Sequence, residues 1–161
     1  KEHLIKLCDD FIAQKLDSED LNTIAFSLIA SEYFDWNGDE MSNVIFDWDN
    51  PIIGYDINLK NVQLWKDYLE NGNIENSVNY PSCSLGYCKK AARICVCHYN
   101  RPNVISQLTS LFVVACVNIS DMVSKSRGEY AYAMFDVEAP VSDEFEKKLE
   151  AMENIIRIRI L

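Results

Sequence analysis

Apolar residues recur at two different periods along this 161-residue chain, and that change constrains the fold more than any other feature. Up to about residue 72 the spacing is helical. Leu4, Leu7, Cys8, Phe11 and Ile12 make one stripe, and Leu21, Ile24, Ala25 and Leu28 make a second, capped by Asp17 or Ser18. Val44, Ile45 and Trp48 form a third. Val62, Trp65 and Leu69 form a fourth, with a cap at Asn58 and a stop at Gly72. Pro51 to Ile57 reads as extended. From residue 91 the period becomes two. Ile94, Val96 and His98 share one face of a strand, and Pro102 opens a helix carrying Val104, Ile105, Leu108, Leu111 and Phe112. Next come a strand near Val117 to Lys125, the turn Arg127-Gly128 and an alternating run over 129–138. A helix capped by Ser142 or Asp143 follows, then a last strand in which Ile156, Ile158 and Ile160 alternate with Arg157 and Arg159. The order βαββαβ predicts an α+β, ferredoxin-like unit: a four-stranded antiparallel sheet with two helices on one face. The other face, with Cys95, Cys97, Tyr132 and Arg157, is expected to lack cover within one chain and to be closed by a partner subunit. The expected organisation is an acidic, mainly helical module over 1–72, a linker over 73–90 and the βαββαβ domain over 91–161.

Charge is unevenly spread. Residues 1–66 carry five Lys/Arg against thirteen Asp/Glu, and residues 67–161 carry ten against twelve, within a total of −10. A net acidic chain argues against nucleic-acid binding, which needs a basic footprint. No apolar run approaches the roughly 18 residues of a membrane span, and no basic and apolar leader opens the sequence. Cys8, Cys83, Cys88, Cys95, Cys97 and Cys116 match no zinc spacing, so they read as reduced thiols, small buried hydrophobes of a cytoplasmic protein. No cofactor, metal or catalytic residue is expected. Asp35, Asn37 and Asp39 alternate as in a calcium loop, but Phe46 stands where the bidentate Glu belongs.

Between Glu32 and Asp56 there is no Lys or Arg, while Asp35, Trp36, Asp39, Glu40, Asp47 and Asp49 mix carboxylates with an indole. Such a surface is either a solvated acidic face or a site for a basic partner, which clustered carboxylates steer. Tyr33-Phe34-Asp35-Trp36, Trp48-Asp49-Asn50-Pro51 and Asn58-Leu59-Lys60-Asn61-Val62 resemble segments of small bacterial immunity proteins. That resemblance implies a basic toxin domain as partner and these acidic residues as its contact surface.

Four further motifs follow in order. They are His98-Tyr99-Asn100-Arg101-Pro102-Asn103, Val117-Asn118-Ile119, Lys125 to Tyr132, and Ile156-Arg157-Ile158-Arg159. Together they resemble the regulatory ACT domain at the C-terminus of bacterial D-3-phosphoglycerate dehydrogenase. Tyr68 to Asn73 and Asn76 to Pro81 resemble the end of that family's substrate domain. The family's G-x-G-x-x-G turn has no counterpart among the five glycines here, so the chain is not expected to be an enzyme itself. The resemblance implies an amino-acid ligand, L-serine or similar, at the interface of a homodimer. His98, Asn100, Pro102, Asn103, Val104 and Ile105 would come from one chain, and Asn118 and Ile119 from the other. The chemistry is coherent. The helix start after Pro102 suits a carboxylate. The Asn100 and Asn118 amides can accept from an ammonium and donate to oxygen, and His98 can bond a hydroxyl. Asn103 departs from the Gly of some members, which implies a changed backbone approach to the ligand.

Overall fold

The computed structural model describes residues 1–31, 33, 39–75, 77 and 80–161. The chain divides into two compact units, Lys1–Glu70 and Asn71–Leu161.

The first unit is helical: α1 (Glu2–Ile12), α2 (Ser18–Ala30), α3 (Asp39–Asp49) and α4 (Leu59–Asn71), whose last residue falls in the second unit. Its core is made by the predicted stripes, with Leu4, Cys8, Leu21, Ala25, Val44, Ile45, Trp48, Val62, Trp65 and Leu69 all buried. Trp48 and Trp65 meet edge to face at 6.2 Å. Asp17 forms a capping box with Asp20 at the start of α2. Asn22 donates to the carbonyls of Trp48 and Asp49, satisfying the end of α3. The expected extended stretch from Pro51 is instead a turn, because Asn50 O accepts from the N–H groups of both Ile53 and Gly54. Burial pushes the Cys8 thiol up to about 12, as expected of an inert core cysteine.

The second unit has the predicted order: β1 (Ala92–Tyr99), α5 (Val104–Val114), β2 (Ile119–Arg127), β3 (Tyr130–Val137), α6 (Asp143–Glu150) and β4 (Ile155–Ile160). Every strand pair is antiparallel and the sheet order is β2-β3-β1-β4. This is the ferredoxin-like α+β fold. Ile94, Val96, Ala133, Phe135 and Val137 face α5 and α6, where Phe112 contacts Phe135 and Phe145, each at 5.0 Å. Ser142 caps α6 by accepting from Phe145 N–H.

Three expectations need correction. Pro102 precedes α5 rather than opening it; the N-cap is Asn103, two residues before Ile105. Ile156 does not share the inner face of β4. The ladder pairs Cys97 with Arg157 but His98 with Ile155, so Ile156 is the extra residue of a bulge and is exposed. The opposite sheet face is not left bare within the chain: Cys95 and Tyr132 are buried, with Gly72 against both and Cys83 against the Tyr132 carbonyl, while Cys97 and Arg157 are half-buried.

This stretch, predicted as a linker over 73–90, is a strap laid across the sheet. Ile74 and Cys83 exchange main-chain hydrogen bonds. Tyr132 Oη donates to Gly72 O at 2.8 Å. Lys125 Nζ donates to Ser82 O at 3.0 Å, and Arg127 Nη1 to Ser77 O at 2.8 Å. Gly72 has φ +68°, and a Cβ there would stand 2.5 Å from Cys95 Sγ, so only glycine fits. Arg93, fully buried, binds Asp136 through Nε (2.6 Å) and Nη2 (2.8 Å), and its Nη1 donates to Asn71 O (3.0 Å) and Gly86 O (2.6 Å). Removing one partner of such a pair strands a buried charge. Asp136→Asn should therefore cost about 3 kcal/mol in urea unfolding followed by far-UV circular dichroism. Arg93→Met combined with Asp136→Leu should recover part of that loss. A change within about 0.5 kcal/mol for the single variant would contradict this account.

Candidate functional site

Strand alternation sends His98 to the helix face of the sheet, at the end of β1, where it is only 2% exposed. Its Nδ1 lies 2.8 Å from Tyr99 O. A carbonyl can only accept, so Nδ1 carries the proton in this contact, and the tautomer with its single proton there presents Nε2 as an acceptor. That Nε2 is buried and has no hydrogen-bond partner among the described residues. A buried acceptor left unpaired costs about 1–3 kcal/mol, so its presence calls for an explanation.

The loop after β1 is tightly held. Asn100 N–H donates to Glu129 O at 2.8 Å and Asn100 Nδ2 to Gly128 O at 3.0 Å, while Arg101 N–H donates to Tyr99 O. Asn103 has φ +69° and ψ −5°, the left-handed conformation that asparagine tolerates better than other side chains. Asparagine is therefore compatible with a positive φ at this corner. The Asn103 side chain makes no capping hydrogen bond, so the first N–H groups of α5 are left uncapped at the partially positive end of the helix. Val104 is buried and Ile105 packs against the core, both fixing the helix start, while Pro102 is exposed.

Asn118 and Ile119 lie elsewhere. Ile119 pairs with Val137 whereas His98 pairs with Ala131, so the two groups sit at opposite ends of the sheet, about 20 Å apart along β3 at about 3.3 Å per residue. Asn118 Nδ2 donates to Glu138 Oε2 at 3.0 Å. One chain thus gathers His98, Asn100, Asn103, Val104 and Ile105, but not Asn118 or Ile119. Strand β2, which Asn118 immediately precedes, is an exposed edge, and Val113 and Val114 at the end of α5 are 75% and 74% exposed.

Sequence reasoning missed the Tyr99, Gly128 and Glu129 carbonyls that hold the loop, because main-chain acceptors leave no side-chain signature. It also missed the Arg93–Asp136 pair, for which a signal existed. Each is a charge inside an alternating apolar run, and the two runs pair across the sheet.

In the first unit, Asp35, Trp36 and the side chain of Asp39 lie outside the described residues. Glu40 and Asp49 are half-buried. Asp47 accepts from Trp65 Nε1 at 2.9 Å. Burial holds its carboxyl above the usual aspartate range, opposed by that hydrogen bond. A raised folded pKa means that Asp47 favours the fold when protonated, and that this contribution fades as pH rises through its folded pKa. Asp47→Asn, which keeps an acceptor for Trp65, should therefore be at least as stable as the parent at neutral pH, with the advantage vanishing in acid. Tryptophan fluorescence in urea reads this unit alone, since Trp36, Trp48 and Trp65 all lie in it.

Among the described residues no cluster of His, Cys, Asp or Glu could hold a metal ion, and no helix is long and apolar enough to cross a membrane.

A sheet of order β2-β3-β1-β4 with two helices on one face is the ferredoxin-like arrangement, and in this unit a buried histidine ends β1 shortly before the uncapped start of α5. The chain is 31% identical over 109 residues to D-3-phosphoglycerate dehydrogenase of Haemophilus influenzae, covering 68% of this chain and 26% of that enzyme. The Escherichia coli enzyme is 35% identical over 97 residues, covering 58% and 23%. That of Dictyostelium discoideum is 29% identical over 105 residues, covering 65% and 25%. The chain thus spans about a quarter of the length of these relatives. Among solved structures, the ACT domain from GTP pyrophosphokinase of Chlorobium tepidum superposes with a TM-score of 0.39 at 15% identity, over 44% of this chain and 95% of that one. No family model matches the chain. The second unit resembles the C-terminal ACT domain of the D-3-phosphoglycerate dehydrogenases.

Proposed function

We propose that the second unit is a non-catalytic, amino-acid-binding dimerisation module of the phosphoglycerate dehydrogenase type, with L-serine or a similar amino acid as ligand. The unpaired, buried Nε2 of His98 carries this reading. As an acceptor it needs a donor from the ligand, and a serine hydroxyl or an α-ammonium supplies one. The uncapped start of α5 suits the α-carboxylate of the same molecule.

The distance between His98 and Asn118 favours a dimer. Pairing β2 antiparallel with β2 of a second copy would close both exposed edges. It would also carry Asn118 of one chain toward the Arg127 end of the other, which adjoins the Asn100 loop through Gly128.

L-Serine at a hundredfold excess over its Kd should stabilise the unit by about 2.7 kcal/mol, or about 15 °C in a domain this size. His98→Ala and Asn118→Ala should each abolish the shift. Mixing the two variants should restore one of the two sites in each heterodimer, about a quarter of all sites if subunits exchange at random, since one site of the heterodimer keeps both residues. Failure to restore binding in a mixed dimer would contradict the shared site.

A second reading concerns the first unit. Ile52 and Ile53, 96% and 84% exposed, sit in the turn between α3 and α4, flanked in sequence by Asp49 and Asp56. An apolar knob with acidic flanks suits a basic protein partner, such as a toxin domain of the immunity-protein type. Such a complex should weaken steeply with salt and with Asp49→Asn; affinity independent of both would contradict it.

A further inference from the structure

The strap and the loop that presents His98 and Asn100 are held by the same residues. Tyr80 of the strap packs on Tyr130 and Tyr132, with ring centroids at 5.8 and 6.2 Å. Tyr130 packs on Tyr99 at 5.9 Å, and the Tyr99 carbonyl fixes the His98 ring. A second connection runs through the β2–β3 turn. Arg127 reaches the strap at Ser77 O, while the adjoining Gly128 and Glu129 carbonyls hold Asn100. At its other end the strap is pinned at Gly72, by Tyr132 Oη and by close approach to Cys95.

We infer that the strap is the output element of the ligand site: occupancy at His98 and Asn100 tightens the strap on Tyr99, Tyr130 and Arg127. The inference rests on the ligand reading above. A ligand that orders the loop must draw the Tyr99 carbonyl and the Gly128 turn into one arrangement. Tyr99 reaches the strap through Tyr130 and Tyr80, and the Gly128 turn reaches it through Arg127, so its local opening becomes rarer. By reciprocity, loosening the strap must weaken the ligand by the same factor.

The test uses the full chain with L-serine as probe. Calorimetry measures binding, and hydrogen exchange follows the strap amides of Ile74, Cys83, Leu85 and Cys88, all hydrogen-bonded in the structure. Saturating serine should slow their exchange about fivefold or more, and Tyr80→Ala should weaken serine by a similar factor, while Tyr80→Phe, which keeps the ring contacts and loses only the hydrogen bond to Cys97, should weaken it less. Should Tyr80→Ala fail to fold, Arg127→Ala probes the second connection with the same expected direction. Serine binding that leaves strap exchange unchanged, or parent-like affinity in the loosened variant, overturns the coupling alone. Absence of serine binding overturns the ligand reading and the coupling with it.

Discussion

A buried guanidinium has to find acceptors for its N–H groups, and those of Arg93 determine how the second unit is put together. Two go to the Asp136 carboxylate across the β1–β3 ladder, and others go to the carbonyls of Asn71 and Gly86. The carboxylate alone could hold the arginine on a bare sheet. The carbonyls can be supplied only by chain lying over it. Placing a charge at this position therefore requires the strap, and the strap in turn buries Cys95 and Tyr132. Its own polar groups are satisfied from within, with Asn73 donating to Gly86 O and accepting from Leu85 N–H.

With both faces covered, β1 becomes a rigid member carrying two sets of side chains. Ile94, Val96 and His98 face the helices; Arg93, Cys95 and Cys97 face the strap. Burial raises the Cys95 thiol to about 11 and raises that of Cys97, so both behave as packing groups rather than nucleophiles. The bulge at Cys97/His98 interrupts the ladder at the point where β1 gives way to the ligand loop. A well-fixed ring at that point, with its proton committed to Tyr99, gives the site a defined hydrogen-bond polarity.

The topology of this unit was legible because alternation in 129–138 and the Ser142 cap are local signals that tertiary packing reinforces. The helical stripes of the first unit were legible for the same reason. The strap was not. Residues 73–90 show no period, and the described residues among them are held by distant partners: Arg93, Lys125, Arg127 and Tyr132. The bulge that turns Ile156 outward also lies beyond local pattern, since it is a mismatch between two strands. Of the candidate site, the sequence motif placed His98, Asn100 and Asn103 on one loop. It gave no sign that His98 is buried with one nitrogen unpaired, because that depends on which carbonyl its neighbour offers.

The central claim is that His98 offers an acceptor to an amino-acid ligand. Nitrogen-15 NMR of the imidazole tests it most directly, and His3 is the only other histidine to assign. The free protein should show a protonated Nδ1 and a bare Nε2. L-Serine should shift the Nε2 resonance into the hydrogen-bonded range while leaving Nδ1 in place. A ring protonated at Nε2 in the free protein, or resonances unmoved by saturating serine, would contradict the account.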